Sequence, residues 1–102
     1  AVTGKERFEA LPDVPTVAES GLPEYSASAW YGLLGPKGLP EDVRAKLAAG
    51  TEETLRDPAF IESLQKDGGV PSHLVGQDFA DFMPAERARW GEVVKAADIK
   101  VE

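Results

Sequence analysis

Tyr25-Ser-Ala-Ser-Ala-Trp-Tyr-Gly-Leu-Leu-Gly-Pro-Lys-Gly-Leu-Pro40 is the stretch whose reading governs the architecture. From Ser26 to Leu34, small polar residues alternate with apolar and aromatic ones. The segment is rich in strand formers, and Gly35-Pro36 closes it. It reads as a central strand, with Trp30 and Tyr31 pointing to opposite faces. The residues before it read as loop and turn, and those after it read mostly as helix. The expected fold class is therefore α/β, a small sheet packed by helices.

Downstream, the turn Gly35-Pro36-Lys37-Gly38 leads to Pro40, whose missing N–H costs nothing at a helix start. Glu41 and Asp42 come next, at the positive end of the helix dipole. Val43, Leu47, Ala48, Thr51 and Leu55 recur at helical spacing and predict a buried stripe on a helix over 41–56. Gly50 weakens that helix by about 1 kcal/mol relative to alanine and suits close approach of another backbone. Asp57-Pro58 restarts the chain as N-cap and first helical residue. The second helix, over 58–67, carries Phe60, Ile61 and Leu64 on its apolar face and stops at Gly68-Gly69. Val70-Pro-Ser-His73 reads as an edge strand or an extended loop. A long helix over 76–97 places Phe79, Phe82, Met83, Trp90, Val93, Val94 and Ala97 on one side, with Trp90 in the core. Pro84 predicts a kink near Ala80 or a break with restart. Ile99-Lys-Val101 reads as an extended tail.

Upstream, Ala1-Val-Thr3 resembles the end of a strand, as if the numbering began inside a longer precursor. In Leu11-Pro-Asp-Val-Pro15 two prolines hold the backbone extended. Thr16-Val-Ala-Glu19 has the spacing of a capping box and predicts a short helix stopped by Gly21.

One small domain, or a piece of a larger one, is what 102 residues allow. A net charge of −7 argues against a nucleic-acid surface. It does not exclude a small anion, which backbone N–H groups bind whatever the net charge. With no cysteine there is no disulfide and no thiol chemistry. The 102 residues contain no signal peptide and no apolar run approaching the roughly 20 residues that span a bilayer.

No catalytic constellation emerges. The serines lack a nucleophile elbow, the glycines lack a phosphate-binding pattern, and the lone His73 reads as an exposed loop residue. No metal site, no cofactor and no enzymatic activity are expected. Asp13 has two readings: an Asx-turn between the prolines, or a rigid loop that presents it, or the surrounding backbone N–H groups, to a ligand. Trp30 and Tyr31 also have two. One is core while the other covers the helix layer, or one walls a cleft with its apolar area and polar handle.

Three blocks, in order, carry a resemblance. They are Leu11-Pro-Asp-Val-Pro-Thr-Val-Ala-Glu-Ser-Gly21, Trp30-Tyr-Gly-Leu-Leu-Gly-Pro-Lys-Gly-Leu-Pro40 and Ala85-Glu-Arg-Ala-Arg-Trp-Gly-Glu-Val-Val-Lys95. The chain resembles the carboxy-terminal third of the Bug/TctC-type solute-binding proteins of tripartite tricarboxylate transporters. It departs from the family's pattern at Pro84 and in Pro71–Gln77.

That resemblance implies a single partial lobe, residues 1–102, of a periplasmic receptor with a type II periplasmic-binding-protein (Venus-flytrap) fold. It implies capture of a small carboxylate ligand and delivery to a membrane permease, with Asp13, Trp30 and Tyr31 as ligand-side residues. The family's chain is about three times longer and starts with a signal peptide. Cut from such a parent, the chain is expected to expose apolar surface and to dimerise or exchange elements, because its sheet is short and has unpaired edges. Two other readings stand beside it. One is a non-catalytic interaction or structural module that binds no ligand by itself. The other is a small hydrolase or sensor domain, the hydrolase disfavoured by the missing nucleophile–base pair.

Overall fold

The computed structural model describes residues 1–100. Three helices carry the regular structure: α1 (Glu41–Arg56), α2 (Pro58–Lys66) and α3 (Gln77–Ala96). All three lie where hydrophobic periodicity and capping residues predict them. The end of the expected tail, Val101, lies outside the described residues.

Local chemistry accounts for the boundaries. Glu41 pairs with Arg44 one turn on, with Arg44 Nη2 donating to Glu41 Oε1 at 2.6 Å. Asp57 ends α1 and caps α2, its Oδ1 accepting from the Phe60 N–H at 2.9 Å. Replacing Asp57 by alanine leaves that N–H unsatisfied. The expected cost is about 1 kcal/mol, read as a lower urea midpoint with loss of helical circular dichroism.

Both later helices end in paired carbonyl closures. After α2, Gly69 N–H donates to the Leu64 carbonyl at 2.7 Å and Gly68 N–H to that of Gln65 at 3.1 Å, with Gly68 at φ +78°. After α3, Ile99 and Asp98 make the same two bonds to Val94 and Lys95, at 3.0 and 3.2 Å. There Asp98 takes the left-handed conformation, φ +49°, which glycine usually fills. α3 runs through Pro84 without a break. Of the two outcomes expected there, a kink near Ala80 or a break with restart, the break does not occur, and the helix does without the N–H that would have bonded Ala80.

The α/β expectation is overturned. Among the described residues there is no sheet, so the small sheet of the expected flytrap lobe is not formed. The one strand-type pairing is a parallel bridge between Val2 and Thr16. In it, Val2 N–H donates to the Pro15 carbonyl and Val17 N–H to that of Val2, both at 2.9 Å. Ser26–Leu34 is assigned to no strand. Its alternating pattern sets the side-chain directions, but a ladder also needs a neighbouring backbone about 4.8 Å away. Only Ala27, donating to the Thr3 carbonyl at 2.8 Å, finds one. Between Ser28 and Gly35 no backbone N–H has a partner among the described residues. Val70–His73 is likewise a loop.

The expected core is also corrected. Among the described residues no hydrophobic side chain is fully buried; Thr16 alone is, at 2% exposure. Val43 and Leu47 of the α1 stripe are exposed, and Leu55 is half-buried. Trp90 is 36% exposed rather than core. Gly50 has no neighbour within 4 Å of where a Cβ would stand, so no second backbone approaches it. The accessible surface is 8428 Å², against about 5,600 Å² for a compact monomer of this mass. The radius of gyration is 16.6 Å, against about 13 Å for a compact domain of this length. The helices are amphipathic, but these 102 residues do not cover their apolar faces.

Candidate functional site

Two places gather the residues that the sequence singles out. The first is the extended segment where it crosses α3. Trp30 meets Phe79 and Phe82 edge-on, with ring centroids 5.8 and 5.3 Å apart and planes at 88° and 73°. Phe79 and Phe82, three residues apart on α3, stack at 6.4 Å. Tyr31 turns the other way and is 96% exposed. The opposite facing expected of this pair is therefore present without a sheet, because alternation is a property of the extended backbone itself.

Ala27, Ser28, Ala29, Trp30, Tyr31 and Trp90 line an open concavity of about 490 Å³. Its α3 side is held by a small polar network. The half-buried Glu86 accepts from Trp90 Nε1 at 2.8 Å and from Arg89 Nη1 at 3.2 Å. Arg89 also donates to the Ser26 carbonyl and lies 5.0 Å from the centre of the Trp90 ring. From the sequence, Trp90 belongs to the core and Glu86 and Arg89 have no role. Helical periodicity shows which side of α3 they share, not what crosses it.

The second place is the Leu11–Val14 turn. Val14 N–H donates to the Leu11 carbonyl at 3.0 Å, which puts Pro12 and Asp13 at the two central positions. Asp13 is exposed, and its carboxylate accepts no hydrogen bond among the described residues, so the Asx-turn is not formed. Asp13 does not line the concavity with Trp30 and Tyr31.

Behind this turn the expected capping box is present. Glu19 N–H donates to Thr16 Oγ1 at 3.0 Å, and Thr16 N–H donates to Glu19 Oε2 at 2.8 Å. It closes one turn rather than the short helix that its spacing predicts, and Gly21 comes after it at φ +124°. Arg7, unremarked in the sequence, donates from Nε to both Glu19 oxygens at 3.1 and 3.0 Å and from Nη1 to the Pro12 carbonyl at 3.1 Å. No periodic signal links residues 7 and 19, because the turn between them sets their approach.

The Arg7 guanidinium, with the Thr16 amide second, lowers the Glu19 carboxyl from an ordinary 4.5 to about 2. Because the folded value lies below the unfolded one, the ionised pair stabilises the turn fully above pH 4.5. That support is lost as pH falls through about 2. An acid titration followed by NMR is expected to show the Thr16 and Glu19 amide signals shifting together with a midpoint near 2; a midpoint near 4.5 would contradict the pairing. Both side chains are about half exposed, so added salt is expected to weaken the effect.

Among the described residues there is no cluster of side chains fit to hold a metal ion, and no helix is long and apolar enough to cross a membrane. His73 is exposed.

Comparison with known proteins agrees with the resemblance. The chain is 40% identical over 99 residues to the UPF0065 protein in the TAR-I ttuE-ttuC' intergenic region of Agrobacterium vitis, covering 97% of this chain and 28% of that protein. It is 30% identical over 102 residues to protein BugT of Bordetella pertussis, covering 100% of this chain and 31% of that one. A third relative, the UPF0065 protein in the tcbD-tcbE intergenic region of Pseudomonas sp. strain P51, is 33% identical over 94 residues, covering 91% and 28%. The chain thus spans about 30% of the length of the curated relatives it matches. No solved structure matches it. A family model described as "Tripartite tricarboxylate transporter family receptor" matches residues 1–99, nearly the whole chain, and this chain belongs to that family.

Proposed function

We propose that these 102 residues are one carboxy-terminal segment of a periplasmic solute-binding protein. That protein captures a small organic acid and delivers it to the membrane permease of a tripartite tricarboxylate-type transporter. The family match across residues 1–99 carries this reading. No covalent step is involved. Capture consists of closing protein around the acid, with backbone N–H groups and ordered water satisfying its carboxylate oxygens. The rigid Pro12–Asp13 turn supplies the Asp13 N–H and shapes one wall, and Trp30 or Tyr31 supplies an aromatic one. Isothermal titration of the full-length protein with citrate, succinate and benzoate tests the reading. Saturable binding of at least one acid, without turnover, is expected; no heat with any of them overturns it.

One observation favours a second role for the chain taken alone. Tyr31, Leu33 and Leu34 are exposed in a row, and an apolar groove of about 610 Å³ runs along Val43, Leu47, Leu55 and Phe60. Such a surface suits a packing or interaction module that binds no ligand by itself. Sedimentation of the 102-residue chain over a wide concentration range reads this out. Self-association is the expected result, and a monomer throughout contradicts it.

A further inference from the structure

The Leu11–Val14 turn is short, exposed at Leu11, Pro12 and Asp13, and closed by one backbone hydrogen bond of its own, yet it is tied to the most enclosed point among the described residues. Thr16 is the buried residue, bridged to Val2 on one side and locked to Glu19 on the other. Glu19 passes that anchorage to Arg7, and Arg7 passes it to the Pro12 carbonyl. The donors run from one rigid planar group. With Nε on the carboxylate and Nη1 on the carbonyl, the position of one contact dictates the other. A lysine has one charged nitrogen on a flexible stem and cannot fix both. Pro12 removes backbone freedom within the turn, and Pro15 restrains Val14 at its end; Arg7 removes the freedom of the turn as a body.

We propose that Arg7 is a positioning residue: anchored on the Glu19 carboxylate, it holds the Pro12 carbonyl and so sets how the Leu11–Val14 turn meets the bound acid. This rests on the receptor reading above and assigns one element of that site its orientation. Arg7 itself touches no ligand.

The test uses the full-length protein, with Arg7→Met and Arg7→Lys variants and two readouts. The first is amide hydrogen exchange, which needs no ligand. Val14 N–H is expected to exchange about three- to tenfold faster in Arg7→Met, with α1 and α3 amides unchanged and no recovery in Arg7→Lys. An equal acceleration throughout makes Arg7 a contributor to global stability only, and overturns the proposal. So does an unchanged Val14, or full rescue by lysine. The second readout is affinity for citrate, succinate and benzoate. The acid that binds the unaltered protein is expected to bind Arg7→Met at least threefold more weakly. Equal affinity beside a loosened Val14 would mean that the turn does not face the acid, which also overturns the proposal. If the unaltered protein binds none of the three, the receptor reading fails, and the exchange at Val14 then decides the clamp by itself.

Discussion

Replacing Trp30 by alanine is expected to lower the unfolding free energy by about 2–3 kcal/mol. Removing a fully buried tryptophan costs about 3–5 kcal/mol, and Trp30 keeps 42% of its surface in water, so the lower figure applies. Two parts make up the loss. One is the apolar area that the indole covers against α3. The other is its edge-on geometry against Phe79 and Phe82, worth about 0.5–1.5 kcal/mol beyond area. Urea titration of Trp30→Ala, Phe82→Ala and the double variant separates them, since the non-additive part of the cycle belongs to the ring pair. Trp90 remains as a fluorescent reporter in each. A loss under about 0.5 kcal/mol would show that the extended segment does not rest on α3 in solution, and the concavity beside Tyr31 would go with it.

Gly32→Ala is expected to cost about 1–3 kcal/mol, a large effect for one methyl group. Two residues beyond Trp30 on the same side of the extended backbone, Gly32 lies against the Phe79 ring. A Cβ placed there would overlap the ring's outer carbons. The requirement is one of space. Gly32 is not among the glycines at positive φ, so strain in the backbone plays no part. Alanine must push the ring or lift the segment, and either movement disturbs the Trp30–Phe79–Phe82 cluster. Combining Gly32→Ala with Phe79→Leu distinguishes this from a general intolerance. The cost of alanine should fall by at least half in the leucine background. A cost unchanged there would place the glycine's role elsewhere.

Both predictions concern one crossing that the sequence announces only in part. The alternation from Ser26 to Leu34 says that Trp30 and Gly32 share a side and that Tyr31 takes the other. Periodicity in α3 says that Phe79 and Phe82 share a stripe. Neither says that the first stripe lies on the second, because the contact joins residues about 50 apart and no local rule spans that distance. The same pattern suggests a paired strand, and that step fails. Strand pairing is a property of two segments, and among the described residues no second backbone bonds to Ser28–Gly35. Placing Trp90 and the α1 stripe in a core rests on the same assumption, that an apolar face finds its cover within the chain.

The candidate site divides the same way. Asp13 between its prolines, the Thr16–Glu19 box and the aromatic pair Trp30-Tyr31 can be read directly, since each arises from residue types at fixed local spacing. Arg7, Glu86 and Arg89 cannot. Their roles depend on a guanidinium or carboxylate reaching across a turn or between elements, and long polar side chains look alike in sequence whether they are solvated or engaged.

Residue order alone therefore suffices for the three helices and their approximate ends, the directions in which Trp30 and Tyr31 point, and the family. These rest on backbone sterics, on capping hydrogen bonds a few residues long, and on motif order. Packing across the chain is what leaves Ser28–Gly35 unpaired, lays Trp30 and Gly32 on the Phe79–Phe82 stack, and lets Arg7 tie the Pro12–Asp13 turn to Thr16 through Glu19. Each of those depends on which distant surfaces meet, and that is settled by the competition among all apolar faces for the limited cover that 102 residues provide.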